Sequence, residues 1–65
     1  MLHSVIRTKE IDRMARALVR QYGDDAGIVA AGHADTVLDM GDISAFETWK
    51  AVMSAIRDLQ LVKAT

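Results

Sequence analysis

Between Lys9 and Tyr22 the residues Ile11, Met14, Ala15, Leu18 and Tyr22 recur at i, i+3, i+4, i+7 and i+11. A helix advances about 100° per residue, so this spacing gathers them on one face. The pattern predicts a helix over about 8–22. Thr8 can act as its N-cap, because a hydroxyl there accepts a free N–H of the first turn. Gly23 can end it, because glycine reaches the left-handed conformation without a Cβ clash. In the next segment Ala30, Ala34, Val37 and Leu38 share one side, with Gly27 and Ala31 beside them. A second helix is expected over about 25–40, capped by Asp24 or Asp25 and ended by Gly41. Its contact face is built of small residues, so neighbouring backbones can approach closely. Gly27 and Gly32 each cost roughly 1 kcal/mol of helix propensity relative to Ala, which makes this helix dependent on packing.

The third periodic segment is the clearest. Ala45, Phe46, Trp49, Val52, Met53, Ile56 and Leu59 form a continuous apolar stripe, with Glu47, Lys50, Ser54, Arg57 and Asp58 away from it. A helix over about 43–60 follows, capped by Asp42, or by Ser44 through the Ser44-Ala-Phe-Glu47 capping-box pattern. It carries the chain's one Trp and one Phe and should be the central buried helix. No strand pattern competes and no Pro interrupts. The connections of one to three residues turn sequential helices back on each other. The expected fold class is all-α: a compact three-helix domain spanning 1–65, open to dimerisation, with flexible ends at about 1–7 and 62–65.

Composition narrows the function classes. With 65 residues there is one domain at most, and its stability should be a few kcal/mol unless something staples it. There is no Cys, which removes disulfides and thiolate metal sites. Self-association is the staple that remains. An apolar fraction of 51% with a net charge of −1 excludes a disordered composition. No apolar run reaches the roughly 20 residues of a membrane span, and "MLHSVIRTKE" lacks the features of a secretory signal. The expectation is a cytoplasmic protein with no membrane association.

The small net charge hides segregation. Residues 1–22 carry +3, residues 23–47 carry −6 with no base at all, and residues 48–65 carry +2. One consequence would be an acidic middle element attracted to basic neighbours, weakly where exposed. The other is a charged docking surface.

The pattern of Tyr22, Gly23, Asp24, Ala31, Ala34, Asp35, Leu38, Gly41, Asp42, Trp49, Ile56 and Leu59 resembles a family of small helical proteins from alphaproteobacteria. The family carries a domain-of-unknown-function label, and the resemblance covers about residues 11–60. It implies the same helix boundaries and a bacterial origin. It implies no activity, ligand or catalytic residue. His33 stands where the family pattern more usually has a long basic residue, which implies a boundary position.

Candidate chemistry is sparse. Asp24, Asp25, Asp35, Asp39 and Asp42 lack the alternating spacing of a Ca²⁺ loop and read as caps and solvated positions. His33 and Asp35 point about 200° apart on a helix and do not face each other. No Ser or Thr is placed as a nucleophile, and so short a chain leaves little room for a pocket. No catalytic, cofactor-binding or metal residue is expected, and no enzyme. Two surfaces remain. Val29, His33 and Met40 form a second, partly apolar strip on the middle helix that one small core does not use. That makes them a candidate partner surface, for a homodimer or a protein partner. Lys9, Arg13, Arg16 and Arg20 form a basic stripe opposite the apolar face of the first helix, with Asp12 able to pair with Arg16. The expected function is a small non-enzymatic helical interaction module that self-associates. The alternative is a small regulator that binds nucleic acid or an acidic protein through the basic stripe.

Overall fold

A computed structural model of the chain describes the backbone of residues 2–64 and the side chains of residues 8–62. Three helices follow one another: α1 (Leu2–Tyr22), α2 (Ala26–Asp39) and α3 (Ile43–Ala64), and no strand occurs among the described residues. The all-α, three-helix reading holds. The outer boundaries move. α1 begins six residues before Thr8, so Thr8 is an interior residue and not the cap. The stretch "LHSVIR" contains neither Pro nor Gly, and nothing in it stops the helix from extending backward. α3 likewise runs past Gln60. The ends expected to be flexible include Met1 and Thr65, which lie outside the described residues.

Both inner junctions depend on a left-handed glycine. Gly23 has φ +59° and Gly41 has φ +80°. At the second junction the N–H of Asp42 donates to the Val37 carbonyl and that of Gly41 to the Leu38 carbonyl, each at 2.9 Å. This is the Schellman arrangement that satisfies the last carbonyls of a helix. The Asp42 carboxylate then accepts the Ala45 N–H at 3.0 Å, and its carbonyl accepts the Phe46 N–H at 3.0 Å. Asp42 thus closes α2 and caps α3, which selects it over Ser44. At the first junction the Asp cap does not form. Gly23–Asp25 makes a single 3₁₀ turn, and Asp25, at φ −86° and ψ −2°, makes no side-chain cap bond. An N-cap residue needs extended backbone to swing its side chain over the first turn. Here the helical path continues, and the Ala26 N–H is satisfied by the Gly23 carbonyl instead.

The core is small and lies where α3 crosses the other two helices. Ala15 of α1, Ala26 and Ala30 of α2, and Val52 and Ile56 of α3 are all but inaccessible. Ile11, Met14, Leu18, Val19, Trp49, Met53 and Leu59 close around them. Two expected core residues are not buried. Tyr22 is 42% exposed because it is the last residue of α1, where the chain turns away, and Val19 takes the inward place. Leu38 is 43% exposed because the inward face of α2 is centred on Ala26, Ala30 and Ala34, and Leu38 lies on its edge in the last turn. A polar contact ties the chain's two halves: Gln60 Nε2 donates to the Gly23 carbonyl at 3.3 Å.

Candidate functional site

α1 presents its basic residues on the side away from the core. Lys9, Arg13, Arg16 and Arg20 are all exposed and fall within about 60° of one another around the helix. Arg16 Nε donates to Asp12 Oδ2 at 2.9 Å, which realises the expected i, i+4 pair. It is the one ion pair among the described residues. Asp24, Asp25, Asp35 and Asp39 are exposed and meet no base. The acidic middle is therefore not neutralised by direct pairing with the basic ends of its own chain.

The expected strip of Val29, His33 and Met40 is only partly free. The imidazole of His33 stacks on the indole of Trp49, with ring centroids 4.6 Å apart and planes inclined by 20°. Val29 is half-buried, and Met40 is 76% exposed at the C-cap of α2. The strip is thus shared between an internal aromatic contact and an open end. The side of α2 opposite its contact face was expected to carry Asp25, Gly32, Thr36 and Asp39, and sequence reasoning did not place Ile28 on it. Ile28 is 73% exposed, and Gly32, Asp35 and Asp39 follow it on the same side, opposite Ala26, Ala30 and Ala34. The signal was present in the spacing of 28, 32, 35 and 39, but a lone Ile between small residues has no clear inward or outward sense. Ile43, 57% exposed, joins Met40 at the α2–α3 corner.

Concavities are shallow. An open cleft of about 750 Å³ lies between α1 and α3, lined by Arg16, Val19, Arg20, Gly23, Leu59 and Val62. The cleft is open to solvent, and Val62 at its edge is 76% exposed. A second groove, about 380 Å³, runs beside Gly27, Lys50, Met53, Ser54 and Arg57. Lys50 is not free there, since its ammonium sits 5.5 Å from the centroid of the Phe46 ring. No group of three His or acidic residues able to hold a metal ion occurs among the described residues. No described helix is long and apolar enough to cross a membrane.

No family model, curated protein or solved structure matches the chain.

Proposed function

We propose that the protein is a small non-enzymatic interaction module that works by self-association. The observation that carries this reading is open apolar surface: Ile28 is 73%, Met40 76% and Ile43 57% exposed. Such side chains are surface that a second copy can cover, either at the outward face of α2 or at the α2–α3 corner.

Absolute mass by light scattering across a hundredfold dilution is the test. Twice the chain mass at micromolar concentration supports the reading; the single-chain mass throughout removes it. The alternative, a regulator acting through the basic stripe, draws support from the unpaired Lys9, Arg13 and Arg20. If it held, binding to a nucleic-acid oligonucleotide would fall steeply with salt and vanish in a variant combining Arg13→Glu and Arg16→Glu. The uncompensated acids on α2 weigh against it, because they would repel the same phosphates.

A further inference from the structure

We infer that α1 of one chain docks antiparallel on the outward face of α2 of a second copy, in a two-fold dimer held by the basic stripe and its acidic counterpart. This rests on the self-association reading and names its surface.

The two faces share one spacing. Lys9, Arg13, Arg16 and Arg20 stand at i, i+4, i+7 and i+11, and so do Ile28, Gly32, Asp35 and Asp39. Each row spans about 16 Å of helix and points away from its own core. Laid antiparallel, the rows match rung by rung. Lys9 meets Asp39 and Arg13 meets Asp35. Arg16, whose guanidinium already holds Asp12, meets Gly32, the one rung with no side chain to crowd it. Arg20 meets Ile28. There its aliphatic stem can cover the isoleucine while the guanidinium reaches the next turn, where Asp24 and Asp25 stand. The parallel alignment would pair as many acids, Arg16 with Asp35 and Arg20 with Asp39, but Arg16 is already engaged by Asp12, whereas the antiparallel pairs use Lys9 and Arg13, neither of which has an ion-pair partner among the described residues.

Gly32 fits this docking. Its φ is not positive and a Cβ built on it would meet nothing within 4 Å; Gly27 shares both properties, but Gly32 is the one that lies on the outward face. Neither backbone conformation nor internal packing asks for glycine, yet glycine weakens a helix that is already weak. Close approach by something outside the chain gives it a reason. Charge gives another: Asp35 and Asp39 of α2 and Lys9, Arg13 and Arg20 of α1 have no ion-pair partner among the described residues. A second copy supplies both signs at once. In a two-fold dimer each α1 lies over the other chain's α2, so both contacts form at once.

The test is charge reversal read by light scattering, with circular dichroism to confirm folding. Arg13→Glu alone and Asp35→Arg alone should each weaken dimerisation about tenfold or more, since the two-fold places every reversal twice. The chain carrying both changes recreates the pair with its sign inverted and should return to the dimer mass. Lys9→Glu with Asp39→Lys repeats the test at the next rung and stands in if either first variant fails to fold. A wild type that is monomeric at all concentrations overturns this inference together with self-association. A dimer that survives both single reversals leaves self-association standing and overturns this surface. Single variants that dissociate, with no rescue in the double variant, overturn the rung pairing.

Discussion

Gly32 and Gly41 are the same residue type under opposite constraints, and alanine at each should act in opposite directions. At Gly41, φ is +80°, where a Cβ clashes with the backbone and costs roughly 1–2 kcal/mol. Gly41→Ala should destabilise the domain by about that amount in urea titration. At Gly32 the backbone is ordinary helix and the space around a Cβ is open. Gly32→Ala should therefore raise the stability of the isolated chain by about 0.5–1 kcal/mol, measured at a concentration where it is monomeric. The same substitution should weaken dimerisation, because the methyl group stands opposite Arg16 of the partner copy. A protein that gains in both respects would show that the glycine serves no contact. Asp42→Ala belongs to the same scale. It removes the carboxylate cap on the Ala45 N–H and should cost about 1 kcal/mol.

At the scale of elements, α3 organises the molecule and α2 is held by it. Three alanines, Ala26, Ala30 and Ala34, are the buried residues of α2, so little apolar area per turn stabilises it. The load falls on Val52 and Ile56, the two largest side chains that are fully buried. Ile56→Ala should cost about 2–5 kcal/mol, comparable with the whole stability of so small a domain, and is expected to melt all three helices together by circular dichroism. His33→Ala should have a gentler effect. It uncovers one face of Trp49 and should shift indole emission to longer wavelength with helix content intact. The α3 stripe, the glycine stops and the Asp42 cap were all legible in the sequence, because period and cap chemistry act within a few residues of chain. The 3₁₀ turn at Gly23–Asp25 was not, since two consecutive Asp residues suit a cap equally well and only the backbone path decides. The orientation of α2 was legible only in part. Alanine and glycine carry too little hydrophobic contrast to mark a face, and so Leu38 was expected inside and Ile28 went unmarked. In the expected partner strip Met40 is open, and His33 stays exposed while one face of its ring stacks on Trp49.

At the scale of the whole molecule, the exposed apolar side chains and the segregated charge lead to one prediction about salt. An apolar interface is strengthened or unmoved when salt is added, because burial gains as ions are excluded from apolar surface. An interface built on Lys9–Asp39 and Arg13–Asp35 rungs at its exposed flanks is weakened, because screening shortens from about 10 Å at 0.1 M to about 3 Å at 1 M. The dimer is therefore expected to loosen by severalfold in dissociation constant over that range, followed by light scattering at fixed protein concentration. The thermal midpoint should rise with protein concentration at low salt, since folding and association are linked, and that dependence should flatten at high salt. Association that tightens with salt would place the contact at the apolar corner of Met40 and Ile43 instead. The two surfaces are at different places on the molecule, so Met40→Asp separates them. It should leave a charge-held dimer intact and break one built on the corner.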